Sequence, residues 1–175
     1  KHGYHLCKAA IAMSEMMESI GIAVDGGKDS MSMSVSKGDM RIDAPGSLVI
    51  SGYVNSSDFR IKVEPCFQEV GNHIVYVDLG FGMDRMGGSS MLTSYHNMTG
   101  DSPDIKDHFG ELKKVFCTVQ NLISEGKILS GHDRSDGGMI VSLIEMSISS
   151  GIGFKAFIDG DPQTKLFNEE LSLFL

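Results

Sequence analysis

Apolar side chains recur at helical spacing in three stretches of the chain. In residues 4–20 they return every three or four positions, and Gly21 follows the last of them, which is typical of a helix end. Residues 104–125 and residues 139–149 show the same spacing, and a glycine closes each stretch. The pattern predicts three amphipathic helices that pack their apolar faces into a core. The predicted face of the third helix consists of Ile140, Leu143, Ile144 and Ser147.

Shorter apolar stretches between these helices predict β-strands. Several of them alternate apolar with polar residues, which is typical of strands that have one buried face. The predicted strands cover residues 22–24, 31–35, 48–54, 72–79 and 154–158. A turn is predicted at residues 37–39, where a glycine is flanked by charged residues. Because strands and helices do not alternate strictly, the predicted class is α+β with a mixed β-sheet packed against helices.

The organisation of the chain predicts two subdomains. A polar linker around residues 55–58 follows the third predicted strand, and we place the boundary near residue 65. Residues 1–65 would be the end of a first subdomain, and residues 66–175 would be most of a second. Because the chain opens without Met and stops within the apolar run 171–175, it is predicted to be a piece of a longer protein.

Composition and charge narrow the classes of function. The formal net charge of −8 opposes nucleic-acid binding, because such binding depends on neutralising phosphates with Lys and Arg. No apolar run is long enough to cross a bilayer, so a membrane is not a predicted partner either. The three cysteines form no CxxC pair. Their odd number suits reduced thiols and predicts a cytoplasmic location.

Two glycine-rich segments invite comparison with nucleotide-binding motifs. Residues 25–30 lie between two predicted strands, but a Walker A loop would need a glycine in place of Ile22 and a Ser or Thr in place of Asp29. The turn at residues 80–88 departs from the dinucleotide fingerprint at Arg85. Neither segment is therefore a standard nucleotide-binding motif.

The candidate for ligand chemistry is residues 133–138, which directly precede the third predicted helix. Ser135 or Asp136 is predicted to cap that helix, and its free N–H groups and dipole would attract an anion. Asp133 and Asp136 would repel a bare phosphate, whereas a bridging Mg²⁺ would remove the repulsion. The alternative is a solvated loop in which Asp136 caps the helix and Asp133 only turns the chain. The residues alone leave both interpretations open.

Five motifs in this chain resemble the family of large phosphoribosylformylglycinamidine synthases, and they occur in the same order. They are Gly-Gly-Lys-Asp-Ser-Met-Ser-Met at 26–33, Ala-Pro-Gly-Ser-Leu-Val-Ile at 44–50, Gly-Gly-Ser at 87–89, His-Asp-Arg-Ser-Asp-Gly-Gly at 132–138 and Leu-Phe-Asn-Glu-Glu-Leu at 166–171. The resemblance extends over essentially the whole chain. It implies the fold of aminoimidazole ribonucleotide synthetase, with this chain in the second of two fused ATP-binding copies.

The resemblance implies a segment of an ATP-dependent ligase of purine biosynthesis. The implied reaction converts formylglycinamide ribonucleotide, ATP and glutamine to formylglycinamidine ribonucleotide, ADP, phosphate and glutamate. Asp133 would bind Mg²⁺ and Ser135 would contact the nucleotide, ATP or ADP. The resemblance further implies that the nucleotide of this copy is structural and not turned over. No catalytic residue is implied here, because the family's other Mg²⁺ ligands and its catalytic histidine belong to other segments. The implied partners are a first synthase copy and a glutaminase domain of the same polypeptide.

Two other classes of function remain open. A different enzyme of the same superfamily, such as a selenophosphate or thiamine-phosphate kinase-like protein, would be complete at about twice this length. The form of the motif at 132–138 also fits such enzymes less well. A non-catalytic structural or oligomerisation domain is the third class, and the lack of implied catalytic residues favours it.

Overall fold

The computed structural model describes residues 2–29, 33–96 and 99–175, and they fall into two compact units that divide between residues 57 and 58. The first unit contains α1 (His2–Ile20), β1 (Ser34–Lys37) and β2 (Met40–Asp43). The second contains β3 (Tyr76–Asp78), α2 (Ser90–Ser94), a 3-10 helix (Lys106–His108), α3 (Phe109–Ser124), β4 (His132–Asp133), α4 (Gly138–Ser150), α5 (Pro162–Phe167) and β5 (Ser172–Phe174). The predicted α+β class is confirmed, whereas the boundary near residue 65 stays a prediction.

The three helices predicted from apolar spacing are confirmed as α1, α3 and α4. α1 is followed by Gly21, which has φ +80° and donates its N–H to the Met17 carbonyl at 2.9 Å. Glycine adopts this left-handed conformation without the steric cost that a Cβ would add, so the helix can stop there. None of the described helices has the length and the apolar content that a membrane span requires.

A hairpin joins β1 and β2 in the first unit. Lys37 pairs with Met40, so Gly38 and Asp39 form a two-residue turn, and Gly38 has φ +59°. The turn predicted at residues 37–39 is therefore confirmed. The strand predicted over residues 31–35 overlaps β1 at residues 34–35, and positions 30–32 lie outside the described residues.

Three other predicted strands are wrong in the part of the chain that the structure describes. These segments are residues 22–24, 48–54 and 154–158, none of which joins a ladder. Val49, Tyr53 and Phe157 are at least 86% exposed. A strand is stabilised by hydrogen bonds to a neighbouring strand, and an apolar alternation cannot supply that neighbour.

The sheet of the second unit has the strand order β3, β5, β4, with antiparallel pairing throughout. Phe174 of β5 pairs with Tyr76 on one side and with His132 on the other. A parallel bridge joins Glu64 to Ser130 outside the named strands. The strand predicted over residues 72–79 is confirmed only over Tyr76–Asp78, near its end. β5 was not predicted, although it is the strand that holds the other two together.

The core of the second unit lies between α4 and β5. Leu143, Met146 and Phe174 are at most 3% exposed and contact one another. The predicted face of α4 is partly wrong, because Ile144 is 41% exposed whereas Ser142 is fully buried. The Ser142 hydroxyl donates to the Gly138 carbonyl at 3.2 Å, so burial costs it no hydrogen bond. The burial of a polar side chain that hydrogen-bonds within its own helix cannot be predicted from the spacing of apolar residues.

α5 is too short for apolar periodicity to reveal, but its start carries a local signal. The Asp161 carboxylate accepts the N–H of Thr164 at 2.9 Å, and Pro162 follows at the first helical position. The backbone N–H of Thr164 lowers the pKa of the Asp161 carboxyl below its ordinary value. α5 leads directly into the polar residues that surround the candidate site.

We expect Asp161→Ala to lower the melting temperature slightly at pH 7. The pKa of this carboxyl is lower in the folded state, so its stabilisation is present above the unfolded pKa and is lost as pH falls through the folded one. The difference between wild type and variant should therefore shrink below about pH 4. Asp161→Asn keeps a capping oxygen and should remain close to wild type at pH 7. Equal melting temperatures for wild type and Asp161→Ala would contradict this role.

Candidate functional site

Residues 133–138 lie where the edge of the sheet meets the start of α4. β4 ends at Asp133 and α4 begins at Gly138, so the residues between them form a tight connection. The Arg134 N–H donates to the Ser172 carbonyl at 2.8 Å, which attaches the connection to β5. We call residues 133–138 the aspartate turn. Its position is set by the sheet on one side and by α4 on the other.

Asp133 presents its carboxylate to solvent. Its side chain is 69% exposed, and its Oδ1 lies 3.5 Å from His132 Nδ1. It borders a cavity of about 380 Å³ that is lined mainly by apolar side chains, among them Val119, Ile123 and Leu173. The described residues bring no three His, Cys, Asp or Glu side chains together around a metal position. Asp133 can thus offer one carboxylate, and Mg²⁺ commonly binds through one or two carboxylates plus phosphates and water.

Ser135 lies half-buried in the middle of the aspartate turn. Its N–H donates to Ser142 Oγ at 3.2 Å, and the two hydroxyl oxygens lie 3.4 Å apart. Its carbonyl accepts the Gly138 N–H at 3.0 Å. A hydroxyl has one donor and two acceptor positions, so Ser135 Oγ keeps hydrogen-bonding capacity for a ligand. Asp133 and Ser135 are therefore held on one short connection.

The predicted cap of α4 by Ser135 or Asp136 is wrong. The capping position is Gly137, which has no side chain that could accept the N–H groups of the first turn. Gly137 and Gly138 have φ +91° and +80°, so the chain enters the helix through a left-handed turn. A Ser or Asp cap instead needs an extended backbone from which its oxygen can reach the first-turn N–H groups.

The N–H groups at this helix start already have acceptors within the protein. The Gly137 N–H donates to Glu169 Oε1 at 2.8 Å, and the Gly138 N–H donates to the Ser135 carbonyl. The expectation of free N–H groups for an anion is therefore wrong at these two positions. A carboxylate from a distant segment provides the negative charge that the helix dipole favours there.

A polar network surrounds Asn168, which is only 1% exposed. Its Oδ1 accepts hydrogen bonds from the buried Arg134 guanidinium and from the Glu170 N–H. Its Nδ2 donates to the Thr164 carbonyl at 2.7 Å and lies 3.3 Å from Asp84 Oδ1. Arg134 Nη2 also donates to the Tyr76 hydroxyl at 3.1 Å. Asn168 thus connects the aspartate turn with the residues that follow α5.

Glu170 is fully buried and forms an ion pair with Arg85. Arg85 Nε donates to Oε1 at 2.6 Å, Nη2 donates to Oε2 at 2.8 Å, and the Arg85 N–H also donates to Oε1 at 3.1 Å. The hydrogen bonds to Glu170 raise the pKa of the Arg85 guanidinium above its ordinary value. Arg85, which broke the dinucleotide fingerprint, therefore has a structural partner.

The sequence-based interpretation missed residues 168–170 as part of this site. They entered only as part of a family motif, although three consecutive polar residues between apolar neighbours are a usable signal for a buried network. The other glycine-rich candidate, residues 25–30, is exposed over 25–29 and belongs to the first unit. Ser30 lies outside the described residues.

Two family models match the chain in successive segments. The model described as "FGAR-AT PurM_N-like domain" matches residues 1–55. The model described as "AIR synthase related protein, C-terminal domain" matches residues 69–174, more than half of the chain. The resemblance predicted from the five motifs, including the fold of the second subdomain, is thereby confirmed.

Relatives with one shared name match 99% of the chain. A protein of Arabidopsis thaliana named "Probable phosphoribosylformylglycinamidine synthase, chloroplastic/mitochondrial" is 40% identical over 178 residues. Proteins named "Phosphoribosylformylglycinamidine synthase" from Dictyostelium discoideum and Homo sapiens are 37% and 36% identical. The chain spans only 13–14% of the length of these relatives.

Proposed function

Because this chain belongs to the family of AIR synthase related proteins, we propose that it is a segment of a phosphoribosylformylglycinamidine synthase. The observation that carries the proposal is the similarity to proteins of that name over 99% of the chain. The whole protein would then be an ATP-dependent carbon–nitrogen ligase of purine biosynthesis. It would convert formylglycinamide ribonucleotide, ATP and glutamine to formylglycinamidine ribonucleotide, ADP, phosphate and glutamate.

In this proposal the chain contributes part of a Mg²⁺–nucleotide site and no catalytic residue. Asp133 would hold Mg²⁺, and Ser135 would donate a hydrogen bond to the nucleotide, either ATP or ADP. The exposed carboxylate of Asp133, which lies on the same short connection as Ser135, supports this assignment. When bound, Mg²⁺ would offset the repulsion between the negative carboxylate and a phosphate. The protein groups themselves bind and orient the ligand.

The partners and the location follow from the same proposal. The chain would work beside a first synthase copy and a glutaminase domain of one polypeptide. A cytoplasmic location is supported by the free thiols of Cys7, Cys66 and Cys117. A selenophosphate or thiamine-phosphate kinase-like protein receives no support from the relatives above, since they share the synthase name.

We expect Asp133→Asn to weaken Mg²⁺-dependent nucleotide binding by the full-length protein. The amide keeps the shape of the side chain but removes the charge that would hold the metal. Ser135→Ala should cost less, about 0.5–1.5 kcal/mol for a neutral hydrogen bond and up to about 3 kcal/mol for one to a charged group. The measurements are nucleotide content after purification and calorimetric titration with nucleotide at two Mg²⁺ concentrations.

The control for this pair is Asp159→Asn, an exposed aspartate outside the aspartate turn. It should leave both measurements at their wild-type values. If Asp133→Asn and Ser135→Ala also leave them unchanged, the aspartate turn is only a connection between β4 and α4. The nucleotide assignment would then be wrong.

A further inference from the structure

Two glycine-rich turns from distant parts of the second unit meet at one carboxylate oxygen. Glu169 Oε1 accepts the Gly137 N–H at 2.8 Å and the Ser90 N–H at 2.8 Å. Gly137 belongs to the aspartate turn, and Ser90 is the first residue of α2. Hydrogen bonds from N–H groups to an ionised carboxylate are stronger than those between neutral groups. One side chain therefore links two segments that no strand or helix connects.

The neighbours of Glu169 leave its side chain little freedom. Asn168 on one side is bonded to the Arg134 guanidinium, and Glu170 on the other is bonded to the Arg85 guanidinium. Both neighbours are at most 1% exposed. Because the backbone is fixed on both sides, the Glu169 carboxylate is directed to one place. Side chains locked by their surroundings in this way position a site well.

On the α4 side, Glu169 accepts the N–H of Gly137, the residue that follows Ser135 and Asp136. A Cβ on Gly138 would lie 2.6 Å from the Leu166 carbonyl oxygen and 2.7 Å from the Asn168 carbonyl oxygen. The turn therefore rests directly on the backbone that precedes Glu169. Since the Gly138 N–H also holds the Ser135 carbonyl, a shift of Gly137 would move Ser135 as well.

On the α2 side, residues 87–90 form a second tight turn, which we call the Gly-Gly-Ser turn. The Gly87 N–H donates to the Asp101 carbonyl at 2.8 Å, and a Cβ on Gly87 would collide with the Gly100 carbonyl oxygen. Ser89, 2% exposed, caps α2 by accepting the Leu92 N–H. The Gly-Gly-Ser turn is also attached to Glu169, because the Ser90 N–H donates to its carboxylate.

We propose that Glu169 is a positioning residue that holds the Gly-Gly-Ser turn and the aspartate turn together and thereby sets Ser135 for its ligand. The role toward a ligand rests on the proposed nucleotide site, whereas the coupling of the two turns does not. The carboxylate also places negative charge at the start of α4. It occupies the Gly137 N–H, so that N–H is not free to bind a phosphate.

Amide hydrogen exchange of the full-length protein tests the coupling directly. In Glu169→Ala, the exchange of the Ser90 and Gly137 amides should rise together by about tenfold or more, because both lose the same acceptor. Glu169→Gln keeps a carbonyl oxygen and should stay within about threefold of wild type. Glu169→Asp is one methylene shorter, so at least one of the two amides should be released. Protection of both amides in Glu169→Ala, or release of only one, would overturn the coupling.

A second measurement tests the role toward the ligand. Affinity for Mg²⁺–ADP should fall about tenfold or more in Glu169→Ala and stay within about threefold of wild type in Glu169→Gln. The control is Leu143→Ala, a core substitution outside both turns, which lowers stability and should leave affinity near wild type. Unchanged affinity in Glu169→Ala, with a clear loss in Asp133→Asn, overturns the positioning role. If the wild type binds no nucleotide, the proposed function fails, and the exchange result alone decides the coupling.

Discussion

Glu170→Ala is expected to lower the free energy of unfolding by about 3–5 kcal/mol, because it leaves the guanidinium of Arg85 without its partner in a mostly buried site. The Glu170 side chain is 0% exposed, and that of Arg85 is 18% exposed. The substitution removes three hydrogen bonds from Arg85 at 2.6–3.1 Å. Breaking one side of a buried pair costs more than the pair itself contributes, since the remaining charge has been taken out of water.

The comparison for Glu170 is Glu64→Ala, which breaks an ion pair of similar length on the surface. Lys62 Nζ lies 2.5 Å from Glu64 Oε1, but both side chains are more than half exposed. Water replaces the lost partner there, so Glu64→Ala should change stability little. Urea unfolding followed by circular dichroism measures both variants. Equal losses would show that burial does not decide the contribution of the Arg85–Glu170 pair.

Gly138→Ala is the second substitution for which we expect a large loss of stability, about 2–5 kcal/mol, from two additive causes. Gly138 has φ +80°, and a residue with a Cβ costs about 1–2 kcal/mol in this region. The new Cβ would also meet the carbonyl oxygens of Leu166 and Asn168 at 2.6 and 2.7 Å. These are backbone atoms that cannot rotate away, so forcing them apart adds about 1–3 kcal/mol.

The displaced start of α4 would also carry Ser135 with it. Gly138→Ala should therefore weaken nucleotide binding as well as stability. Gly110→Ala is the matched control, because a Cβ there would meet nothing within 4 Å and Gly110 lies in α3. That change should be neutral or stabilise by up to about 1 kcal/mol. Thermal unfolding of both variants is the measurement, and equal melting temperatures would contradict the steric account of Gly138.

The helices could be predicted because their signal is local. The spacing that places α1, α3 and α4 lies within single turns of the helix, and Gly21 marks an end by its own backbone freedom. The strand predictions failed because a strand forms only where a neighbouring strand is available to pair with it. Val49 and Phe157 lie in apolar stretches but pair with no strand in the described part of the chain. β5 is only three residues long, yet it is the central strand of its sheet.

The candidate site likewise has features that the local sequence determines and features that depend on tertiary contacts. Sequence alone determined that Asp133 and Ser135 lie together on a glycine-rich connection before a helix, because neighbours in the chain are neighbours in space. Only the tertiary structure decided that the acceptor at the helix start is Glu169 and not Ser135 or Asp136. It likewise decided that Arg85 pairs with Glu170. Such contacts join residues far apart in the chain, and their geometry depends on how the sheet and helices pack, which no local pattern encodes.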